Sequence, residues 1–246
     1  MSERETEGGT ARDVRIVRAA GCRLRVEAGG WPFAEAHAAE IEAHWQARLR
    51  ESPGFFNGRI HLLTAHAFEN GVLTGRLIAT DFKSFLFWRE TGERDRTVFD
   101  AFGSALIRSR DGAVLLGRQR SGNINAGLTY LPGGFIDARD VGPDGHIDLE
   151  GSILREVAEE TGLRVPLVTV RPGVIVTFTG QQISLAVELM ADLDAEGLQE
   201  RVRAFLISET EPELEAAVLI RSERDLEGLA MPDYARGRLE NLFADG

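Results

Sequence analysis

The chain has little cysteine and no long apolar run, and both absences limit what it can be. Cys22 is its only cysteine, so no disulfide forms within the chain and a thiolate-rich zinc or iron–sulfur site is excluded. No apolar run approaches the ~18 residues that a membrane-spanning helix needs. The first thirteen residues are polar and charged and contain no stretch typical of a signal peptide. We therefore expect a cytoplasmic protein without a membrane partner.

Positive charge is also scarce. The 246 residues include 28 basic and 39 acidic side chains, which gives a formal net charge of −11. A surface of this sign argues against sequence-independent nucleic-acid binding, which needs a basic face. We therefore expect no nucleic-acid partner, although a nucleotide-sized ligand fits this charge. With 43% hydrophobic residues, the chain has enough apolar material for a packed core.

Strands mixed with a few helices along the chain predict a layered α/β or α+β domain. Apolar residues at steps of three and four predict an amphipathic helix within 32–51, and Asn70-Gly71 predicts a hairpin between strands 59–68 and 72–80. A second hairpin joins 105–109 to 113–118. Further strands are predicted at 165–170, 174–179, 183–190 and 215–220, and further helices at 196–207 and 234–243.

Three regions are predicted from composition. Residues 1–13 are predicted to be disordered, because they are polar and charged and contain glycine. A polar stretch at 90–96 indicates a boundary near residue 95. We therefore expect a smaller N-terminal α+β region at 14–95 and a larger domain at 96–246.

The most informative segment is an acidic run, Arg155-Glu-Val-Ala-Glu-Glu-Thr-Gly-Leu163. On a helix it brings Glu156, Glu159 and Glu160 together just before a glycine stop. Like charges at this spacing repel, and negative charge near a helix C-terminus opposes the macrodipole. A cation should offset this charge. Carboxylates crowded in this way suit Mg²⁺ or Mn²⁺, the hard ions that partner phosphate oxygens.

A glycine turn, Leu131-Pro-Gly-Gly-Phe-Ile-Asp137, precedes this helix. Paired glycines let the backbone approach a ligand closely. Together the turn and the acidic run resemble the Nudix box, whose second half is matched position by position. The matching residues are Arg155, Glu156, Val157, Glu159, Glu160, Gly162 and Leu163.

This resemblance implies a Nudix hydrolase, an α/β/α sandwich around a mixed sheet that cleaves a nucleoside diphosphate linked to another moiety with Mg²⁺ or Mn²⁺. Carried over by position, Glu156, Glu159 and Glu160 would ligate the metal, assisted by the Gly133 carbonyl. Arg155 would orient Glu156 or Glu159. The catalytic residues implied are therefore Glu156, Glu159 and Arg155. The resemblance leaves the general base open: it is either a box glutamate or a glutamate from a later loop, for which Glu188, Glu209, Glu211 and Glu213 are the candidates.

The chain departs from the family pattern at one point. The pattern places a glutamate eight residues before the arginine, and Ile147 stands there. Asp140 keeps the spacing from the glycine turn, which indicates a seven-residue insertion in the box, within loop-like sequence. The missing glutamate normally pairs with the arginine, and Asp140, Asp148 or Glu150 could replace it. Asp148 also suits the helix N-cap.

The sequence also indicates candidates for contact with the substrate. Arg118 and Arg120, at the end of a predicted strand, are candidates for binding phosphate oxygens. Segments 55–59 and 81–86, with the expanded box, resemble a divergent Nudix branch associated with UDP-sugar hydrolysis. A UDP-sugar is therefore the expected substrate. ADP-ribose or a dinucleotide such as NADH is an alternative, and a non-catalytic nucleotide-sensing module is another. A homodimer is expected for an enzyme of this size.

Overall fold

The computed structural model describes residues 13–244, which form eleven strands, six α-helices and two short 3-10 helices. The strands are β1 Val14–Ala19, β2 Gly21–Val26, β3 Arg59–Glu69, β4 Val72–Asp81, β5 Asp100–Arg108, β6 Val114–Gln119, β7 Thr129–Tyr130, β8 Val168–Val170, β9 Val174–Thr179, β10 Gln182–Ala191 and β11 Leu214–Ile220. The α-helices are α1 Pro32–Ala36, α2 Ala38–Glu51, α3 Phe82–Glu90, α4 Leu149–Thr161, α5 Ala195–Ser208 and α6 Asp233–Ala244. The 3-10 helices are Ala138–Asp140 and Glu223–Leu226.

A mixed sheet forms the centre of the fold. Its strand order is β1-β9-β10-β5-β6-β11, with β7 beside β6 and β8 beside β10. Strands β10 and β5 run parallel, while the other pairs in this sheet are antiparallel. The parallel pair brings the starts of β5 and β10 side by side, with Asp100 opposite Gln182.

Helices cover both faces of this sheet. Ile107 and Leu185 pack with α4 and α5 on one face, while Leu106 and Ala186 pack with α6 on the other. Neighbouring residues of one strand point to opposite faces, so two separate apolar layers arise from one set of strands. The predicted α/β/α sandwich with a mixed sheet is confirmed.

A second, three-stranded sheet has the order β2-β4-β3. Leu24, Leu63 and Leu77 of this sheet belong to the same apolar cluster as α4, so the small sheet closes over the helix face of the large one. Strand β1 precedes it in sequence but pairs with β9 in the large sheet. The division near residue 95 stays a prediction. The predicted disorder of 1–13 concerns residues that, apart from Asp13, lie outside those described.

Most predicted elements are present, with two differences in the N-terminal third. The helix expected within 32–51 is two helices, because His37 lies between them as the C-cap residue of α1 and the N-cap residue of α2. The aromatic segment after the first hairpin is helix α3, capped by Asp81, which accepts a hydrogen bond from the Ser84 amide. Its Phe85 and Trp88 are fully buried, so these rings form core.

The inserted part of the box is a closed loop that packs on the small sheet. Val141 and Ile147 pair across its base, and the Gly142 amide donates to the His146 carbonyl at 2.8 Å. Strand β2 holds this loop from outside, since the Ile147 amide donates to the Leu24 carbonyl at 3.0 Å. The insertion therefore leaves the two ends of the box close together.

Within residues 13–244 the helices are all too short or too polar to cross a membrane.

Candidate active site

The glycine turn lies directly against β5. The amides of Gly103 and Gly134 each donate to the other's carbonyl, at 3.0 and 3.1 Å. Gly133 has a φ of +153°, and a Cβ there would collide with the Gly103 carbonyl oxygen. Only glycine therefore fits at position 133. At Gly134 a Cβ would stand 2.5 Å from Glu156 Oε2, so the turn and the acidic helix touch.

Helix α4 has clear signals at both ends. Asp148 caps its start by accepting from the Gly151 amide at 3.0 Å, as its position suggested. Gly162 ends it in the left-handed conformation, with a φ of 69°. The buried residues Ile153 and Val157 face the core, which fixes the rotation of the helix and directs Glu156 and Glu160 toward the glycine turn.

The three box glutamates lie in different environments. Glu160 is only 3% exposed, and its Oε2 accepts from the Gly133 amide at 2.8 Å. Burial raises its pKa to about 8. Glu156 is partly buried, and burial together with the charge of Glu159 raises its pKa to about 7. Glu159 is exposed. The turn thus contacts two carboxylates that are costly to ionise without a cation.

Arginines provide positive charge beside the helix. The Arg139 guanidinium, from the first 3-10 helix, lies 3.6 Å from Glu156 and 3.5 Å from Glu159. It also pairs with Asp137 at 2.7 Å. Arg155 reaches Glu156 at 3.5 Å, the contact expected for an orienting arginine. The cation that the acidic run required is therefore supplied in part by Arg139, which the sequence analysis did not identify.

Asp140 occupies the place of the missing box glutamate. Its buried Oδ1 accepts from Arg155 Nη2 at 2.7 Å, and its Oδ2 accepts from the Asp137 amide at 2.8 Å. Of the alternatives, Asp148 is used as the helix cap, and Glu150 is exposed in the first turn of α4. The arginine is thus braced by an acid from before the insertion rather than after it.

A cavity of about 780 Å³ lies between the glycine turn, the small sheet and α6, and Asp140, Arg155 and Glu159 are not among the residues that line it. Glu156, Glu160 and Glu213 line one part of it together with Arg139. Segments from the N-terminal region also form its walls. Those residues are Phe56, Gly58, Arg59, Ile60, Phe82 and Arg89.

The two arginines predicted to bind phosphate do not line this cavity. On β6 the residue between them, Gln119, faces the cavity and donates to Glu160 Oε1 at 3.4 Å. Arg120 instead lines a groove beside α5 and β11, where it donates to the Pro212 carbonyl at 3.4 Å. Because side chains alternate along a strand, Arg118 shares the face of Arg120 and not that of Gln119. This alternation of side chains could have been predicted from the sequence, because the segment was expected to be a strand.

Of the four candidate general bases, Glu213 lines the cavity. Although solvent reaches it, desolvation of its carboxyl and the charge of Glu159 raise its pKa. Glu188 pairs with Arg108 at 3.5 Å on β10, and Glu209 and Glu211 are exposed near the end of α5. None of these three lines the cavity.

The carboxylates of the box suit a hard divalent ion as ligands, although they do not converge on one point in this structure. No group of three or more His, Cys, Asp or Glu side chains in the described part of the chain is arranged to hold an ion. Glu156 and Glu159 are instead engaged by Arg139. Glu156, Glu160 and Glu213 nevertheless share one cavity wall, and all three have raised pKa values. Carboxylate oxygens are the ligands that Mg²⁺ and Mn²⁺ take, so the residues suit such an ion.

The model of the NUDIX domain matches residues 99–227, more than half of the 246 residues. The chain belongs to the Nudix family. Solved structures with Nudix folds are also similar to it, such as the MutT protein from Methanosarcina mazei Go1, with 23% identity over 60% of this chain and 94% of that one and a TM-score of 0.40. The Nudix hydrolase RenU from M. smegmatis has 21% identity over 59% of this chain and 84% of that one, with a TM-score of 0.38.

A third similar structure is NrtR from Shewanella oneidensis, determined in complex with a 27mer DNA. It has 21% identity over 57% of this chain and 58% of that one, with a TM-score of 0.38. The comparison with curated proteins found no match. The assignment to the Nudix family depends on the domain match, and the box residues of α4 lie within the matched range.

Proposed function

We propose that this Nudix protein hydrolyses the diphosphate of a nucleoside diphosphate linked to a sugar, with a UDP-sugar as the preferred substrate. The products would be a nucleoside monophosphate and a sugar phosphate. Membership of the Nudix family implies hydrolysis of a diphosphate joined to a nucleoside and requires a divalent ion in general. The choice of a UDP-sugar and of Mg²⁺ or Mn²⁺ goes beyond the family.

The observation that carries the proposal is the group of Glu156, Glu160 and Glu213 beside the glycine turn. Each has a raised pKa, and Glu160 is buried against a backbone amide of the turn. Groups whose ionisation is penalised in a cavity are typical of functional sites. A protein that only needed a stable helix would gain nothing from burying them.

Each residue has a definite role in this proposal. Glu156, Glu159 and Glu160, with the Gly133 carbonyl, would hold the ion, and Arg155 would keep Glu156 in place through the 3.5 Å contact. The chemistry that a bound Mg²⁺ or Mn²⁺ supplies is neutralisation of the diphosphate and a lower pKa for a water molecule. Glu213, which lines the cavity, would accept the proton of the attacking water.

Phosphate oxygens would meet arginines other than those predicted. Arg59 and Arg139 line the cavity, whereas Arg120 lines a different groove. Guanidinium groups bind phosphate oxygens through paired hydrogen bonds. For Arg139 this requires that it exchange its present carboxylate partners for the substrate when the ion binds.

The N-terminal region supports a UDP-sugar in particular. The segments that resemble the UDP-sugar branch supply Phe56, Gly58, Arg59 and Phe82 to the cavity wall. The expanded box, the other feature of that branch, is held by β2 of the same region. ADP-ribose or a dinucleotide remains the alternative substrate class, and a nucleotide-sensing module without turnover is the alternative in a different class. The cytoplasmic location and the homodimer stay predictions.

A substrate panel tests the proposal. The protein is incubated with UDP-sugars, ADP-ribose and NADH in Mg²⁺ and in Mn²⁺, and phosphate is measured after phosphatase treatment of the products. We expect the highest kcat/KM with a UDP-sugar. A higher kcat/KM with ADP-ribose or NADH would make that compound the preferred substrate in place of a UDP-sugar. Measurable binding without turnover of any of these compounds would favour the sensing module.

A further inference from the structure

Asp100 is a buried acid that the proposed chemistry does not use. It begins β5 and is only 5% exposed, yet it lines the same cavity as the box glutamates. Its Oδ1 atom is buried and has no hydrogen-bond partner among the described residues. An unpartnered carboxylate oxygen costs free energy in a folded protein unless something else supplies a donor. Its position indicates that the missing donor comes from a ligand.

The surroundings of Asp100 limit what that ligand can be. The Gln182 side chain hydrogen-bonds the carboxylate, and the positive charge of Arg89 acts on it from nearby. Arg89 also lines the cavity and donates to Asn125 Oδ1 at 2.7 Å. A phosphate or carboxylate would be repelled by Asp100, while a cationic group would be repelled by Arg89. The ligand group is therefore neutral and carries a hydrogen-bond donor.

The walls near Asp100 favour a flat group. The charge of Asp100 acts on Tyr234, which packs edge-on against Phe102 with ring centroids 4.9 Å apart. Both rings belong to one apolar cluster whose members also line the cavity. The other cavity-lining members of that cluster are Leu128, Tyr130 and Met231. Apolar and aromatic walls with a few polar groups are typical of sites for planar heterocycles rather than for sugars, which need many polar partners.

A hydrogen-bonded chain joins this region to the catalytic glutamates. Asn125 Nδ2 donates to the Tyr130 hydroxyl at 3.0 Å, and the Asn125 amide donates to Asn123 Oδ1 at 3.2 Å. Asn123 Nδ2 donates in turn to Gln119 Oε1 at 2.8 Å, and Gln119 donates to Glu160. The two parts of the cavity are thus lined by one connected polar network, as expected if one ligand spans both.

We propose that Asp100 is the specificity-determining residue of a nucleobase subsite, where its free oxygen accepts a hydrogen bond from an N–H group of the base. Arg89 supplies donors for an acceptor on the same base edge. This inference rests on the proposed function in that the diphosphate of the same substrate lies at Glu156 and Glu160. Both ring N–H groups, as in uracil or guanine, and exocyclic amino groups, as in adenine, provide this chemistry.

Binding of reaction products tests the subsite without requiring turnover. Calorimetry with full-length protein in Mg²⁺ compares UMP, GMP, CMP and AMP with ribose 5-phosphate, which lacks a base. We expect at least one monophosphate to bind about tenfold more tightly than ribose 5-phosphate. Asp100→Asn should remove this preference and leave the affinity for ribose 5-phosphate within about twofold of wild type. Equal affinity of the wild type for ribose 5-phosphate and for every monophosphate would overturn the proposal.

Two controls keep this result interpretable. Asp192→Asn changes an exposed acid just beyond the far end of β10 and should bind every probe like wild type. The second control needs no variant: the tightest-binding monophosphate is compared with its N-methylated form, 3-methyl-UMP or N6,N6-dimethyl-AMP for example, on the wild type. We expect about tenfold weaker binding of the methylated form. Unchanged binding would overturn the proposal even if Asp100→Asn failed to fold.

The failure of the subsite and the failure of the proposed hydrolysis are separate outcomes. Base-dependent, methylation-sensitive binding without turnover of any diphosphate would support the subsite and contradict the hydrolase. Turnover of a UDP-sugar together with base-independent binding would support the hydrolase and overturn the subsite. A loss of affinity for glucose 1-phosphate in Asp100→Asn, with UMP binding unchanged, would assign the subsite to the sugar and overturn the proposal.

Discussion

Glu160 and Glu150 lie on the same helix, α4, but in contrasting environments. Glu160 is buried and bonded to the Gly133 amide, while Glu150 is exposed in the first turn. We predict that Glu160→Gln lowers kcat by at least about 100-fold, because ion-assisted activation of water supplies several kcal/mol. Glu159→Gln should have a similar effect, and Glu150→Gln should leave kcat within about twofold. Steady-state kinetics at saturating Mg²⁺ measures this, and near wild-type turnover in either box variant would remove that residue from the ion site.

The raised pKa values also predict how stability depends on pH. Burial raises the pKa of Glu156 to about 7 and that of Glu160 to about 8, above the ordinary glutamate pKa of 4.5. At pH values between the ordinary pKa and the raised ones, the folded state binds more protons than the unfolded state. The free energy of unfolding therefore falls as the pH rises from about 5 to 8.

Urea unfolding in EDTA at about pH 5.5 and pH 8 measures this change, and Glu160→Gln should make the wild-type curve flatter. A variant with the same pH dependence as wild type would show that Glu160 ionises normally.

Addition of Mg²⁺ should stabilise the wild type more at the higher pH, because the ion binds the deprotonated carboxylates.

Arg139 pairs with two of the box carboxylates. Its guanidinium now neutralises Glu156 and Glu159, so it competes with an ion for the same carboxylates. Arg139→Gln should therefore bind Mn²⁺ several-fold more tightly in the absence of substrate, as measured by electron paramagnetic resonance. Arg171→Gln is the control, because it changes an exposed arginine between β8 and β9 and should leave the Mn²⁺ affinity unchanged. Weaker Mn²⁺ binding in Arg139→Gln would mean that this arginine helps to assemble the ion site instead.

The sequence identified the box residues because their spacing on a helix was itself informative. It did not identify Arg139 or Asp100, since each lies near α4 or the cavity only through tertiary folding. Arg118 and Arg120 were chosen for their charge, although the alternation of side chains on β6 turns them away from the cavity. The helical spacing of the box residues could be read from the sequence alone, whereas the positions of Arg139 and Asp100 could not, and the roles proposed for the box residues stay predictions.

The contact between Asp140 and Arg155 joins the first 3-10 helix to α4. Asp140 is buried and makes two hydrogen bonds, one to the Arg155 guanidinium and one to the Asp137 amide. We predict that Asp140→Asn lowers the free energy of unfolding by about 2–3 kcal/mol, because a charge-assisted bond in a buried position is lost. Asp144→Asn, an exposed change in the inserted loop, should lower the free energy of unfolding by less than about 0.5 kcal/mol. Urea unfolding compares the two, and equal losses would show that Asp140 is not the brace of the box.

Element bounds were predictable where periodicity or a turn signal was strong. The predicted strand 174–179 coincides with β9, and Asn70 and Gly71 adopt the positive φ values that the hairpin needs. Helix α3 was not predicted, because its aromatic residues are buried on almost every side and leave no polar face to mark a helical period. The break between α1 and α2 has no strong signal, since no proline or glycine lies there.

Backbone contacts bind the N-terminal region to the rest of the fold. Strand β1 pairs with β9, the His61 amide on β3 donates to the Ile136 carbonyl at 3.0 Å, and β2 holds the inserted loop. We predict that a fragment of residues 96–246 alone lacks cooperative thermal unfolding, followed by circular dichroism. Adding the fragment 1–95 in trans should restore it. A cooperative transition for 96–246 alone would support the predicted boundary near residue 95 as a true domain limit.

The inserted loop also affects how relatives of this chain can be found. Because Val141 and Ile147 are paired, the seven additional residues leave and rejoin the path of the chain at nearly the same point. A search that demands a constant number of positions between the glycine pair and Arg155 would reject the chain, although the spatial pattern is retained. Searches that permit a variable gap after Asp140 should recover other enzymes with the same detour.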